Sequence, residues 1–321
     1  MKRKAWFCLL ICLLFVFQLS ACTNSSMQVK RNIAVIVKSQ NSEFWQAVKN
    51  GVDAAATEYN VSVTFEGPEN EEDYMAQNKM IESAVNRGVD AIVLSAIDYD
   101  KCASAVTQAA QKGVKIVSID STVRSSAVSM FIGTDNTAAG ETAGKAAVQG
   151  FKENEKIHIG IINYNEGTEN GQRREEGFKN YISGVENATI TAVVNVDSSV
   201  QSAMIGALNL LKKYPEINVL VGFNEFMTLG IGNAIQQLGL SEKVRAVGFD
   251  SNIKSVEMLE TGEMDALIVQ NPFAIGYLGI QHAVDQIEGR ATDITIYTQS
   301  SLITKENMFD EENQKLLFRF G

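Results

Sequence analysis

The sequence predicts an α/β protein made of two doubly wound parallel-sheet lobes. Ten short runs rich in β-branched residues alternate with longer amphipathic stretches along the 321-residue chain. The runs are apolar throughout, which is typical of strands buried on both faces of a parallel sheet. One set of runs ends near Asp120 and a second set begins near Ile157, so their number favours two sheets rather than one.

The elements follow one another in a regular order. The predicted strands are NIAVIV, VSVTF, AIVLSA, KIVSID and MFIGT, then IHIGII, ITAVVNV, NVLVGF, VRAVGF and ALIVQN. The stretches between them, such as EFWQAVKNGVDAAATEY and GQRREEGFKNYISGV, have apolar residues at helical spacing. The helix after MFIGT is expected to begin at Asp135 or Asn136, because both residue types are favoured as N-caps.

The N-terminus predicts export. Three basic residues precede an uninterrupted apolar run, Ala5 to Phe17, which is shorter than the ~20 residues that span a bilayer. We therefore interpret residues 1–21 as a signal peptide. Leu-Ser-Ala-Cys ending at Cys22 resembles the lipobox of bacterial lipoproteins, where the cysteine is lipidated, and residues 22–31 would be the tether. An ordinary signal peptide with a chance cysteine is the alternative.

Charge and cysteine content exclude several classes of partner. The chain has 28 basic and 38 acidic residues, a net charge of −10, and the signal would remove three of the basic ones. Such an acidic protein repels nucleic acid and anionic lipid. Apart from Cys22 and the two signal cysteines only Cys102 is left, so we expect no intrachain disulfide and a small buried side chain at Cys102.

The first strand is followed by Lys38-Ser-Gln-Asn41-Ser-Glu-Phe44-Trp45. Two adjacent aromatic residues among amides and hydroxyls suit a ligand with apolar faces and polar edges, and sugar rings are such ligands. The alternative is that Phe44 and Trp45 only open the helix and pack inward, as aromatic residues commonly do.

Later strands end in short carboxylates and amides, namely Asp120, Asn224, Asp250 and Gln270. Ligands of open α/β sheets collect beyond the carboxyl ends of the strands. A carboxylate accepts from two neighbouring hydroxyls and an amide offers both donor and acceptor, which matches a vicinal diol. One such residue is usually a helix N-cap, but four at equivalent positions favour a binding site.

Enzyme-like motifs are incomplete. GETAGK, residues 140–145, is one residue short of a P-loop, and GIGNAI at Gly230 lacks the third glycine of a dinucleotide fingerprint. His158 and His282 are far apart and lack the spacing of metal ligands. The sequence therefore predicts a binding protein without catalytic activity, cofactor or metal.

From Asn32 onward the chain resembles the ribose-type family of periplasmic sugar-binding proteins, the solute receptors of bacterial ABC importers. The resemblance rests on QNSEFWQAVKNG, SIDS, IGTDNTAAGETAG, RREEGF, GFNEFMTLGIGNAI, AVGFDS and ALIVQNPFAIGYLG, in this order. It implies a type I periplasmic-binding-protein fold whose lobes close on the ligand about a three-segment hinge. The implied crossovers lie near Asp135, near Gln270 and around 297–301. The implied lobes are 32–134 plus 271–297, and 135–270 plus 298–321.

The resemblance also implies roles for residues. Phe44 and Trp45 would enclose the sugar ring, Asn41 would support the first loop, and the four strand-end residues would bond the hydroxyls. Ser121 and Gln172 stand where ribose binders have arginines, with Arg173 and Arg174 adjacent to Gln172, and Lys38 replaces a small hydroxyl residue. Lys38, Gln172 and Arg173 are therefore candidate ligand contacts. DSSVQS offers no aromatic residue from the second lobe, so another pentose, a hexose or a sugar-like molecule is as well supported as ribose.

The function predicted from these observations is an extracytoplasmic lipoprotein, anchored to the outer face of the cell membrane and monomeric. It would capture a monosaccharide or sugar-like ligand between its lobes and deliver it to an ABC permease. A sugar-sensing lipoprotein that signals to a membrane histidine kinase or a chemoreceptor is the alternative, since the lobes and the site would be the same.

Overall fold

A computed structural model describes residues 30–290 and 294–317. Their elements are β1 (Asn32–Ile36), α1 (Glu43–Glu58), β2 (Ser62–Glu66), α2 (Tyr74–Asn86), β3 (Ala91–Leu94), α3 (Ala103–Gln111), β4 (Lys115–Ile119), β5 (Met130–Gly133), α4 (Asn136–Val148), β6 (Ile157–Tyr164), α5 (Glu169–Ile182), β7 (Ala188–Val196), α6 (Val200–Lys213), β8 (Val219–Gly222), α7 (Glu225–Leu238), β9 (Arg245–Phe249), α8 (Ile253–Thr261), β10 (Ala266–Val269), α9 (Pro272–Ile287), β11 (Ile294–Tyr297), β12 (Ser301–Thr304) and α10 (Glu311–Leu317). The predicted signal peptide and Cys22 lie outside the described residues.

The described strands form two six-stranded sheets, which confirms the predicted fold class. The first sheet has the order β11-β5-β4-β3-β1-β2 and is parallel throughout. The second has the order β12-β10-β9-β8-β6-β7, and only β12 runs antiparallel to its neighbour. All ten predicted strands are present as β1–β10. The sequence analysis did not identify β11 and β12.

We call the elements on the first sheet (β1–β5, β11, α1–α3 and α9) the first lobe, and the remaining elements the second lobe. The chain passes between the lobes after β5, after β10 and between β11 and β12. The predicted limits of the lobes and the bending of these connections stay predictions. None of the described helices is long and apolar enough to cross a membrane.

Each lobe contains helices whose backbones touch. Helix α1 packs against α9 through Gly51 and Gly276, and α4 packs against α5 through Gly140 and Gly177. A Cβ at any of these glycines would lie 2.0–2.1 Å from a backbone carbonyl oxygen of the partner helix. This close approach fixes α5 against α4, and α5 carries Arg174 and Asn170 toward the carboxyl ends of the second sheet.

Candidate functional site

The two sheets repeat one turn that places a carboxylate at the strand end. Asp120 follows β4 and Asp250 follows β9, the strands in equivalent positions of the two sheets. Both residues have a left-handed backbone conformation, with φ of 56° and 68°, which aspartate tolerates better than most residues do. Their N–H groups donate to equivalent carbonyls, Ile132 at 2.9 Å and Ile268 at 3.0 Å. The fold therefore presents one carboxylate from each lobe to the same space.

That space is a small cavity of about 30 Å³ between the lobes. A single water needs ~10–15 Å³ on this scale, so side chains fill most of the site. The lining residues are Lys38, Ser42, Phe44, Trp45, Glu71, Asp120, Tyr164, Asn170, Arg174, Asn224, Glu225, Phe226, Asp250 and Gln270. A larger groove of about 530 Å³ lies between β7, at the edge of the second sheet, and α6, and its lining comes from the second lobe alone. We therefore place the candidate site in the smaller, polar cavity.

Lys38, Asp120 and Asn170 form a buried group at the first lobe's side of the cavity. The Lys38 ammonium lies 3.1 Å from Asp120 Oδ2 and donates to Asn170 Oδ1 at 3.0 Å. Asn170 Nδ2 donates to Asp120 Oδ1 at 3.0 Å, and Ser95 Oγ donates to Asp120 Oδ2 at 2.8 Å. Since Asn170 belongs to the second lobe, its amide joins the two lobes. The structure thus brings Lys38 and Asp120 together in the cavity.

On the opposite side of the cavity, the side chain of Gln270 bonds three other residues. Its Nε2 donates to Asp250 Oδ1 at 2.6 Å. Its Oε1 accepts from Arg174 Nη2 at 3.0 Å and from Thr134 Oγ1 at 2.7 Å. Thr134 lies in the connection after β5 and Gln270 in the connection after β10. The amide that lines the cavity therefore also joins two of the three connections between the lobes.

Asn224 combines the two roles that the sequence left open. Its Oδ1 accepts from Met227 N at 2.9 Å, so it is the N-cap of α7. Its Nδ2 donates to Ser198 Oγ at 2.8 Å, and the residue lines the cavity. The cap orients the amide, and one side chain thus serves both the helix and the site.

The aromatic residues differ from the prediction. Phe44 and Trp45 contact each other edge to face, with ring centroids 4.9 Å apart and planes at 86°. Rings in mutual contact leave no room for a third ring between them, so the expectation that they enclose a sugar is corrected. The expectation that the second lobe offers no aromatic residue is also wrong, because Tyr164 and Phe226 line the cavity. A ligand would lie against these rings from both lobes.

Gln172 and Arg173 lie outside the cavity, and both predictions are corrected. Both side chains are exposed on α5, where Gln172 donates to the Glu166 carbonyl and Arg173 pairs with Glu169 and Glu176. The arginine that reaches the site is Arg174, which is 1% exposed. In the sequence Arg174 follows Gln172 and Arg173, and it was not among the candidate ligand contacts.

Arg174 bonds three elements of the second lobe at once. Its Nη1 donates to the Phe223 carbonyl at 2.7 Å, Nε donates to Asn136 Oδ1 at 2.9 Å, and Nη2 reaches Gln270. The guanidinium also lies over the Phe249 ring, 4.7 Å from its centroid. The planar guanidinium has donors in several fixed directions, so it can make these three hydrogen bonds at once.

Asn41 lies in the loop between β1 and α1 and bonds the loop after β2. Its side chain is exposed and its Nδ2 donates to the Glu69 carbonyl at 2.7 Å. It is absent from the cavity lining. Its contribution is therefore to the β1–α1 loop that holds Phe44 and Trp45.

Glu71, Asn170 and Glu225 were missed by the sequence analysis. Glu71 accepts from Trp45 Nε1 at 2.9 Å and from Ser198 Oγ at 2.8 Å. Glu225 is the first residue of α7, and burial, reinforced by the charge of Asp250, raises its pKa to about 7. Each follows a strand by a few residues, Glu71 in a loop and Asn170 and Glu225 in the first turn of a helix, so inspection of the whole stretch from strand to first helical turn would have found them. Among the described residues no group of histidine, cysteine or carboxylate side chains is suited to hold a metal ion.

Comparison with known proteins gives the family. Residues 33–291 match the model of a periplasmic binding protein domain. The chain belongs to this family. Three relatives of this periplasmic binding protein are 25–33% identical to it in sequence.

Two solved structures and one curated protein illustrate the relationship. A carbohydrate transporter solute-binding protein from Agrobacterium radiobacter, in complex with D-arabinose, is 29% identical with a TM-score of 0.88, covering 91% of this chain and 100% of that one. An ABC transporter solute-binding protein from Agrobacterium vitis with bound D-fucose is 33% identical with a TM-score of 0.85, covering 89% and 100%. The ribose import binding protein of Bacillus subtilis is 25% identical over 91% of this chain and 97% of its own.

Proposed function

We propose that this periplasmic binding protein captures a monosaccharide or sugar-like ligand between its two lobes and delivers it to an ABC permease. The observation that carries the proposal is the cavity at the carboxyl ends of both sheets, where Asp120 and Asp250 face it from equivalent turns. Carboxylates and amides beside aromatic rings are the groups that bind vicinal hydroxyls and the apolar face of a sugar. Its structural relatives bind D-arabinose and D-fucose.

The ligand-binding residues we propose are Lys38, Phe44, Trp45, Asp120, Arg174, Asn224, Asp250 and Gln270, together with the lining residues Glu71, Tyr164, Asn170, Glu225 and Phe226. They act by binding and carry out no catalytic step. In the structure several of these polar groups bond one another. A sugar that enters must replace those bonds with its own hydroxyls, so a ligand lacking the matching hydroxyl would leave a buried group unpaired.

Entry of the ligand requires the lobes to separate, because a cavity of about 30 Å³ is smaller than a sugar ring. We propose that lobes 32–134 plus 271–297 and 135–270 plus 298–321 rotate about the connections after β5, after β10 and before β12. Closure would create a surface that exists only in the closed form, and a permease can read occupancy from it. Relatives named as import and ABC transporter proteins favour transport over signalling to a histidine kinase.

A screen of ligands tests this function. We expect pentoses or hexoses to raise the melting temperature of purified residues 23–321 by about 5–10 °C at 100-fold excess over Kd, because binding then adds ~2.7 kcal/mol. D-arabinose and D-fucose are the first probes, and amino acids and nucleosides are the comparison set. If an amino acid or a nucleoside raised the melting temperature and no sugar did, the sugar proposal would be wrong.

We further propose that Cys22 carries a lipid that anchors a monomeric protein to the outer face of the membrane. The lipobox-like Leu-Ser-Ala-Cys and the polar stretch after it support this proposal. The full chain expressed in a bacterium should incorporate labelled palmitate and partition with membranes, because two or more acyl chains give stable anchoring. Cys22→Ala should lose both properties, and labelling retained in Cys22→Ala would contradict the anchor.

A further inference from the structure

Direct hydrogen bonds join the two lobes around the cavity. Thr168 Oγ1 donates to the Ile97 carbonyl at 2.8 Å, and Tyr99 N donates to the Gly167 carbonyl at 2.8 Å. These bonds use groups that do not titrate near neutral pH. Other bonds between the lobes use carboxyl groups. Asp120 and Glu71 of the first lobe accept from Asn170 and Ser198. Glu225 of the second lobe and Glu72 of the first are the two whose pKa is raised. The carboxyl bonds can therefore couple closure of the lobes to pH.

Glu225 is the more buried of the two. It is 7% exposed, and its Oε2 accepts from the backbone N–H of Phe44 at 3.3 Å. Phe44 is the second residue of α1, so the carboxyl of one lobe sits at the helix N-terminus of the other. Its Oε1 accepts from Asn252 Nδ2 at 2.8 Å within its own lobe. The bond to Phe44 exists only while the lobes touch, whereas the bond to Asn252 does not depend on closure.

We propose that Glu225 makes lobe closure, and with it ligand affinity, depend on protonation, because its carboxyl group lines the cavity and bonds the opposite lobe. The proposal rests on the function proposed above. Opening removes the Phe44 N–H and exposes the carboxyl to water, whereas closing buries it against α1. Asp250 belongs to the same lobe and stays beside Glu225 in both states, but it repels the ionised carboxyl more strongly once water is excluded. Closure therefore favours the neutral form of Glu225.

The charged groups around Glu225 determine the sign of the effect. On α1 it faces backbone N–H groups and the exposed Glu43, and from the β9–α8 turn it faces Asp250 and the neutral Asn252. Across the cavity stand two cations, Lys38 and Arg174, and two more carboxylates, Glu71 and Asp120. Lys38 is already paired with Asp120 at 3.1 Å. Burial and Asp250 outweigh the hydrogen bonds, and the pKa of Glu225 rises to about 7 in the closed form.

The direction of the pH dependence follows by linkage. A carboxyl whose pKa is higher in the closed form than in the open form takes up a proton on closing. The stabilisation of the closed form is complete below the open-state pKa, near the ordinary value of 4.5, and is lost as the pH rises to about 7. Between pH 5.5 and pH 7.5 the ratio of closed to open protein should fall on the order of tenfold.

The test compares wild type with Glu225→Gln, which keeps the shape and stays neutral at every pH. Kd for D-arabinose, or for the sugar with the largest thermal shift, is measured by calorimetry at pH 5.5 and 7.5. We expect wild-type Kd to rise on the order of tenfold and Kd of Glu225→Gln to change less than about threefold. Calorimetry in two buffers of different ionisation enthalpy should show proton uptake on binding at pH 6 in wild type only.

Glu72→Gln is the matched control. Glu72 is only half-buried, and burial also raises its pKa, so its removal should take away a minor part of the pH dependence. A wild-type Kd that is constant from pH 5.5 to 7.5, or a pH dependence that survives in Glu225→Gln, would overturn the proposal. So would a pH dependence lost entirely in Glu72→Gln.

A second measurement separates this inference from the proposed function. Fluorescence energy transfer between labels at Asp53→Cys and Lys212→Cys, both exposed and on different lobes, reports closure without ligand. The Cys102 thiol is buried and stays unlabelled. If no sugar binds at any pH, the proposed function fails. The labelled protein still decides the inference: a closed fraction that does not increase at pH 5.5, or that increases equally in Glu225→Gln, overturns it.

Discussion

Replacing Asp250 by asparagine is expected to weaken sugar binding about 100-fold while the fold stays intact. A hydrogen bond to a charged acceptor contributes about 1.5–3 kcal/mol, and 1.4 kcal/mol corresponds to a factor of ten in affinity. Asparagine tolerates the left-handed φ of 68° that this position requires. Asp250→Ala should lose binding altogether, with an added cost of about 1 kcal/mol in stability because alanine disfavours that conformation.

The measurement is calorimetric titration with the sugar identified by thermal shift, with thermal melts of each variant in parallel. Glu257→Gln is the control, since Glu257 is an exposed carboxylate on α8 that pairs with Lys254 at the surface. Its Kd should equal that of wild type. An Asp250→Asn protein that melts normally and binds with unchanged Kd would show that this carboxylate does not contact the ligand.

Arg174→Met is expected to lower the free energy of unfolding by about 3 kcal/mol and to weaken binding as well. The buried guanidinium satisfies the Phe223 carbonyl, Asn136 and Gln270. Each buried acceptor left without its donor costs about 1–3 kcal/mol, and methionine fills the volume without replacing any of the three bonds. The loss of the bond to Gln270 also removes one of the contacts that hold this amide beside Asp250.

Urea denaturation of Arg174→Met and of Arg173→Met compares the loss of a buried arginine with the loss of its exposed neighbour. Arg173 is exposed and forms surface ion pairs with Glu169 and Glu176, which contribute little. Arg173→Met should therefore change the urea concentration at the midpoint of unfolding by no more than about the error of the measurement. Equal effects of the two substitutions would mean that the buried hydrogen bonds of Arg174 do not stabilise the second lobe.

The fold was predictable because its strands are apolar on both faces and its helices have an apolar side. The inner strands of both sheets carry that pattern, whereas β2 and β7, each at a sheet edge, are partly exposed along their length. The pattern is weaker in β11 and β12, which have four residues each, stand among polar residues and lie at sheet edges. Short edge strands depend on tertiary pairing rather than on their own sequence.

The candidate site was predictable where one of the first two residues after a strand lines the cavity, as with Asp120, Asn224, Asp250 and Gln270. It was not predictable on helix α5, where one step along the chain turns the side chain by about 100°. Gln172 and Arg173 point to solvent for that reason, and Arg174 points inward. The edge-to-face contact of Phe44 with Trp45 depends on rotamers that no spacing rule gives.

The bonds of Gln270 to Thr134 and Arg174 place the floor of the cavity at the connections between the lobes. A rotation about these connections displaces the distant rims by many ångströms and the floor by very little. Under the rotation proposed above, Gln270, Thr134 and Arg174 would keep their arrangement at every degree of opening. We therefore expect substitutions at the rims to change how fast a ligand enters and leaves, and substitutions at the floor to change which sugar binds best.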